Sequence, residues 1–524
     1  MATSTLAPEV LIRAEPAHVR WAFPWWMAAL LPVLLIAAPL AYSSYRAFPL
    51  YDDGWLALLI REHGQNAARS TMPDRPLYAV VMTALFLPES VEKIGFVAVT
   101  FALWIAFALV AGWLWRTLSP GLARYAPVAS ALVIAPIVAT CQLTTVVTSL
   151  QIVPPLLVFC AVILLLNYVA DGRTWRIAVA AALVACGTLF SEYAVPASAA
   201  GIVLLLRPLL FERDAEKRKR ARLAVLTLGA VCLISYVVYF KLADASFRPS
   251  VSPSVATETV KRNPLSIATN LANGTWRSVV GAYGSGLGKV AIHWDSKSTL
   301  VAAGFSIPLI FALLFSCRGR TKRDEPSVYD SLFPLLAVFA GLLPVALMNR
   351  GTFMVGFGSR FLIPILPVAA AATLSIVFSI TRPAARSIAV AAVGLIGAYS
   401  TLITVNTVLQ DQSLAVEIGR TLRPQLSTAG GNTVAVVNRQ GIDYEMTATA
   451  SAAWSTDQGR KFWLYDEATA RKVLGSRQSC IQPLTLSLNQ RHVSRSGPID
   501  VLLWVETVDT KIVAVEPYCR QPKL

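Results

Sequence analysis

The chain has 524 residues, of which 55% are hydrophobic and only 15% are charged, whereas soluble domains carry about 25% charged residues. This composition excludes an ordinary soluble protein and predicts a membrane protein. The net charge of +16 does not indicate a nucleic-acid partner. Many of the basic residues fall in short segments between apolar runs, as the positive-inside rule expects.

Eleven apolar runs are near the length of about 20 residues that a membrane span needs, although two of them are short. They lie at 22–43, 94–115, 126–140, 152–170, 176–190, 194–210, 223–243, 298–316, 331–348, 361–380 and 387–408. We therefore predict an all-α polytopic membrane protein with about 11 transmembrane helices over residues 22–408. Residues 1–21 have neither the short basic region nor the cleavage site of a signal peptide, so the first run is predicted to be a retained anchor.

The basic segments between the runs predict the orientation in the membrane. These segments are Arg116/Arg124, Arg173/Arg176, Arg213 through Arg222, Arg318–Arg323 and Arg382/Arg386. If all of them face the cytoplasm, residues 1–21 are a cytoplasmic tail, and loops 44–93 and 244–297 lie outside. The apolar piece Leu77–Leu87 is then an interfacial helix. A rival count makes this piece a crossing, but it places Arg173 and Arg176 outside.

The two external loops differ from the C-terminal region in composition. Loop 244–297 combines prolines with closely spaced glycines and is predicted to have little regular structure. Residues 409–524 are predicted to form a small extracytoplasmic α/β domain, with strands at 433–438, 484–488, 500–506 and 511–516 and helices at 411–423 and 465–475. In an oxidising compartment Cys480 and Cys519 could form one disulfide.

An acidic pair follows the first apolar run. Asp52 and Asp53, with Gly54 and Trp55, lie where the chain leaves the membrane. A purely structural role is one interpretation of this sequence, namely a solvated turn or a helix cap before Trp55. The alternative is an active site at the membrane surface, because polar residues at the outer ends of spans can meet both lipid and water.

Three further motifs lie on the same predicted side. They are Asp74-Arg75-Pro76-Leu77-Tyr78, Ser191-Glu192-Tyr193 and Gly358-Ser359-Arg360-Phe361-Leu362-Ile363-Pro364. With the acidic pair, their order resembles that of the GT-C membrane glycosyltransferases over about residues 20–410. This group includes protein O-mannosyltransferases, aminoarabinose transferases and O-antigen-modifying glucosyltransferases. The acidic pair followed by Arg-Pro-Leu looks most like the last of these.

The resemblance implies a sugar donor linked to polyprenyl phosphate, an acceptor hydroxyl on an envelope glycan or lipid, and inversion at the anomeric carbon. It implies Asp52 as general base, since a positioned carboxylate contributes typically about 10²–10⁴-fold. Asp53 then orients Asp52 or forms a hydrogen bond with a sugar hydroxyl. It also implies residence in the bacterial inner membrane, with the C-terminal region in the periplasm.

The leaving phosphate needs a cation, and arginine matches phosphate geometry. Arg360 is the first candidate, and Arg75 and Arg350 are the others; snorkelling to lipid headgroups is the structural alternative. Glu192 is a candidate for a substrate hydroxyl, or for a structural ion pair. Trp55 is a candidate for stacking on a sugar, although an interfacial aromatic belt explains it equally well.

No set of histidine, cysteine and acidic residues has a zinc-like spacing. No cofactor is firmly implied, although some of the enzymes that the chain resembles bind a divalent metal. The alternative functions are an O-antigen ligase or polymerase and a transporter of lipid-linked glycans. A transporter predicts repeat symmetry and polar residues at mid-membrane, and neither is evident in the sequence.

Overall fold

A computed structural model gives the three-dimensional structure. It describes the chain in segments, namely residues 24–47, 76–86, 92–135, 149–242, 264–284, 307–314, 328–348, 357–381, 385–400, 420, 433–438, 461–466, 501–508 and 511–517.

The described part up to residue 400 is helical. Its helices are α1 (Trp25–Ala47), α2 (Pro76–Phe86), α3 (Glu92–Leu118), α4 (Ala126–Ile134), α5 (Val153–Asp171), α6 (Trp175–Phe190), α7 (Ala194–Phe211), α8 (Ala215–Leu242), α9 (Pro264–Trp276), α10 (307–314), α11 (Val328–Leu347), α12 (Leu366–Ile380) and α13 (386–400). Each of the eleven predicted runs overlaps one of these helices. The helix predicted at 77–87 is present as α2.

Among the described residues, five helical stretches are long and apolar enough to cross a membrane, which makes the chain an integral membrane protein. They are Val97–Leu118, Leu150–Asp171, Ala194–Phe211, Ala215–Tyr239 and Arg360–Ile380. Five shorter apolar helices of 10–17 residues accompany them among the described residues. The count of eleven spans stays a prediction.

Small residues allow the helices to pack closely, as is usual between membrane helices. Helix α12 contains four consecutive alanines, Ala369–Ala372, and all four are buried against neighbouring helices. At Gly112 of α3, an added Cβ atom would lie 2.9 Å from the carbonyl oxygen of Ala126 in α4. The glycine therefore sets how closely α3 and α4 approach.

Residues 264–284 correct the prediction of an irregular loop at 244–297. Helix α9 continues through a π-helical turn, Arg277–Gly281, into a short helical end at Ala282–Gly284. The Thr373 hydroxyl donates to the Val279 carbonyl at 2.8 Å, and the Tyr283 hydroxyl donates to the Leu132 carbonyl at 3.0 Å. These bonds fix the segment inside the bundle. The external location of loop 244–297 as a whole stays a prediction.

Four arginines identify one end of the bundle, which we call the arginine end. The Arg116 guanidinium lies 5.1 Å from the Trp25 ring, and Arg207 donates to the carbonyl of Leu118. Arg124 and Arg386 flank the ring pair of Tyr125 and Phe378, whose centroids are 4.6 Å apart. These contacts gather Arg116, Arg124, Arg207 and Arg386 at one end of the bundle. Three of them, Arg116, Arg124 and Arg386, belong to the segments that were predicted to face the cytoplasm. The compartment that this end faces stays a prediction.

The C-terminal region contains a four-stranded sheet. Its strands are β1 (Thr433–Asn438), β2 (Lys461–Asp466), β3 (Val501–Val508) and β4 (Lys511–Pro517), in the order β2-β1-β3-β4. Strand β1 pairs in parallel with β2 and β3, and β3 pairs antiparallel with β4.

Three of the predicted strands, at 433–438, 500–506 and 511–516, are thus confirmed. Strand β2 was not predicted. Its last two residues, 465 and 466, overlap the start of the helix predicted at 465–475. The predicted strand 484–488 and nearly all of the predicted helix 411–423 lie outside the described residues. The α/β domain at 409–524 therefore stays a prediction.

Candidate functional site

The corner between α6 and α7 holds the carboxylate of Glu192. Ser191 ends α6 in an extended conformation, with φ −167° and ψ 155°, and its amide donates to the Gly187 carbonyl at 3.2 Å. The Ser191 hydroxyl and the Tyr239 hydroxyl both donate to Oε2 of Glu192, each at 3.1 Å. Helix α6 ends at this corner and α7 begins there, and α7 then leads to Arg207 at the arginine end. We call this part of the molecule the Glu192 end.

Two hydroxyl donors on one carboxylate oxygen hold the orientation of the acid. Ser191 is fully buried and Tyr239 is 3% exposed, while Glu192 itself is half-buried. The corner can therefore present a fixed carboxylate near the end of the bundle. Such a group can accept hydrogen bonds from a substrate hydroxyl.

The segment that carries Arg360 lies against this corner. Residues Phe357–Ile365 form a 3₁₀ helix that leads into α12, and Pro364 and Pro367 remove amide donors that an α-helix would need there. The Phe361 ring packs on the Tyr193 ring with centroids 6.3 Å apart. The Arg360 guanidinium lies 5.1 Å from the Phe361 ring. Glu192 precedes Tyr193 in the chain and Arg360 precedes Phe361, so the contact between the two rings brings their segments together.

Helix α2 also lies at the Glu192 end. Tyr78 is fully buried, and its ring meets the Phe190 ring edge-on, with centroids 5.5 Å apart and planes at 72°. Because Tyr78 lies in the first turn of α2, this turn lies close to the corner. Arg75, Asp52, Asp53, Trp55 and Arg350 lie outside the described residues. Their predicted roles remain predictions.

Two residues of this end were not singled out by the sequence. Tyr239 lies near the end of α8, 47 positions after Glu192, and no local pattern links the two. Gln151 lies in the 3₁₀ turn Leu150–Ile152 and is 2% exposed. A glutamine at the outer end of a predicted span is a signal that could have drawn attention to it.

Among the residues that the structure describes, no group of three or more histidine, cysteine, aspartate or glutamate side chains could hold a metal ion. Cys160, Cys186 and Cys232 are free cysteines. Cys480 and Cys519 lie outside the described residues, so their pairing stays a prediction.

Comparison with known proteins gives structural similarity only. No protein-family model and no curated protein matches the chain. Two crystal structures of ArnT from Cupriavidus metallidurans are similar, one in the apo state and one bound to undecaprenyl phosphate. Both are 14% identical in sequence with a TM-score of 0.37, and the matches cover 91% and 92% of this chain and 93% of each ArnT chain. A similarity at this TM-score assigns neither a family nor an activity to the chain.

Proposed function

We propose that the protein is an integral membrane glycosyltransferase. It moves a hexose or pentose from a polyprenyl-phosphate donor to a hydroxyl of an O-antigen, another envelope glycan or a lipid. The reaction takes place on the outer side of the bacterial inner membrane. The observation that carries the proposal is the meeting of the Glu192 corner, the Arg360 segment and the start of α2 at one end of the bundle, away from the arginine end.

The proposed reaction needs a base, a cation and a means of holding the sugar. Asp52 takes the proton of the acceptor hydroxyl while that oxygen forms a bond to the anomeric carbon. The bond between the anomeric carbon and the phosphate oxygen breaks, its electrons leave with the polyprenyl phosphate, and the configuration inverts. Asp53 orients Asp52. A sugar hydroxyl is a poor nucleophile, so the positioned carboxylate is the main requirement.

Arg360 stabilises the charge that develops on the leaving phosphate, with Arg75 and Arg350 as further cations. Glu192 accepts a hydrogen bond from the sugar, and Trp55 stacks on the sugar face. The arginine end faces the cytoplasm under the positive-inside rule. This orientation puts the Glu192 end at the outer surface, where both the lipid-linked donor and an envelope acceptor can reach it.

The proposal is tested by comparing envelope glycans and glycolipids from cells that lack the protein with those from cells that express it. We expect one sugar to be missing from a defined position when the protein is absent. The same sugar should return when the gene is restored. Identical glycans and glycolipids in the two cell lines would overturn the proposed function.

A further inference from the structure

Gln151 is a buried amide whose hydrogen bonding is incomplete. Its side chain is 2% exposed, and its Oε1 atom accepts no hydrogen bond from any residue that the structure describes. Its neighbours Leu150 and Ile152 are buried apolar residues. Leaving a buried acceptor unpaired is unfavourable, so a group of this kind calls for an explanation.

The packing of α5 and α6 locates Gln151 at the Glu192 end. An added Cβ atom on Gly187 would lie 3.1 Å from the carbonyl oxygen of Pro154, so the first turn of α5 meets the last turn of α6. Gln151 lies one turn before Pro154, and Ser191 lies one turn after Gly187. Because the two helices are antiparallel, both steps lead toward the same end of the bundle.

The turn that carries Gln151 also packs against the 3₁₀ helix that carries Arg360, since Leu150–Ile152 and Phe357–Ile365 are in contact. Gln151 therefore belongs to an element that touches the Arg360 segment, and it lies level with the Glu192 corner. The three side chains come from three separate parts of the chain.

We propose that Gln151 binds a hydroxyl group of the donor sugar, an inference that rests on the proposed function. The atom that lacks a partner is an acceptor, and it needs a hydrogen-bond donor. The oxygens of an ionised phosphate cannot supply one, whereas every sugar hydroxyl can. Gln151 thus distinguishes the sugar-bearing lipid from the bare lipid phosphate, and Arg360 holds the phosphate that the two lipids share.

The test measures binding to the purified full-length protein in detergent. The ligands are undecaprenyl phosphate and undecaprenyl phosphate that carries glucose, galactose, mannose, arabinose or aminoarabinose. The wild type is expected to bind one sugar-bearing lipid more tightly than undecaprenyl phosphate. In Gln151→Met, which keeps the side-chain length and removes the amide, that difference should shrink about tenfold or more, with binding of undecaprenyl phosphate unchanged.

Ser130→Ala is the matched control. The Ser130 hydroxyl is also buried without a partner among the described residues, but it lies in α4 beside Gly112. This variant should bind every lipid as the wild type does. Both variants should unfold at or above the wild-type temperature, because each removes an unpaired buried polar group.

Two results would overturn the inference. The first is a Gln151→Met protein that keeps the full preference for the sugar-bearing lipid. The second is a wild type that binds undecaprenyl phosphate but prefers none of the sugar-bearing lipids. Failure of the proposed function is recognised separately, because the wild type would then bind none of these lipids at all.

Discussion

The Tyr239 hydroxyl, near the end of α8, donates a 3.1 Å hydrogen bond to Oε2 of Glu192 at the corner between α6 and α7. The Ser191 hydroxyl donates to the same oxygen. Tyr239 is 3% exposed, and Glu192 is half-buried, so the bond is partly buried. It ties α8 to the corner and fixes the carboxylate that we propose to contact the sugar.

Tyr239→Phe is expected to lower the free energy of unfolding by about 1.5–3 kcal/mol, the usual contribution of a hydrogen bond to a charged group. The ring remains, so only the hydroxyl is lost. Chemical unfolding in detergent measures the change. Tyr168→Phe is the control, because Tyr168 is a buried tyrosine near the arginine end of α5. Equal stability of Tyr239→Phe and wild type would show that the bond does not hold the corner.

Gly112→Ala is expected to destabilise the protein by about 1–3 kcal/mol, because the new methyl group meets the Ala126 carbonyl across α3 and α4. The matched control is Gly284→Ala, since an added Cβ atom there would meet no atom of the described residues within 4 Å. That change should leave stability unaltered or raise it slightly. Unfolding temperatures of the two variants give the comparison, and a Gly112→Ala protein as stable as Gly284→Ala would contradict the close packing.

Asp214 caps the start of α8 by accepting hydrogen bonds from the amides of Glu216, at 2.9 Å, and Lys217, at 3.4 Å. Asp214→Ala should cost about 1 kcal/mol of stability, whereas Asp214→Asn should cost little because asparagine caps equally well. Thermal unfolding of both variants checks this. Equal losses in the two would indicate that the charge matters and the cap does not.

The apolar helices were predictable because a bilayer demands long apolar helices, and each predicted run overlaps a described helix. The charged start of α8, Ala215–Arg222, was missed because hydropathy detects only the apolar part of a helix. Residues 264–284 were missed for a different reason. Their glycines and asparagines favour a loop locally, but hydroxyls of Thr373 and Ser400, distant in sequence, bond their carbonyls.

The site was predictable in part. Motif order pointed to Glu192 and Arg360, and the structure brings their neighbours Tyr193 and Phe361 into contact. Tyr239 and Gln151 could not be found in this way, because their significance lies in tertiary hydrogen bonding and burial. Neither a tertiary hydrogen bond nor the burial of a single polar side chain produces a periodic pattern in the sequence.

Arg360→Lys keeps the positive charge but removes the planar pair of donors that suits a phosphate. We expect sugar transfer to fall about tenfold or more, and Arg360→Ala to lower it by about 10²-fold or more. Arg207→Lys is the control, because Arg207 bonds a backbone carbonyl at the arginine end. Initial transfer rates in membranes from cells with each variant give the result. Wild-type rates in Arg360→Ala would remove the phosphate role.

In the proposed reaction, a carboxylate of the acidic pair takes the proton of the acceptor hydroxyl. The most direct measurement is the rate of sugar transfer from the lipid-linked donor in membranes that contain Asp52→Asn, Asp53→Asn or the control Asp214→Asn. We predict that Asp52→Asn lowers the rate by about 10²–10⁴-fold, that Asp53→Asn lowers it less, and that Asp214→Asn leaves it unchanged. Wild-type rates in both Asp52→Asn and Asp53→Asn would exclude the acidic pair as the source of the general base.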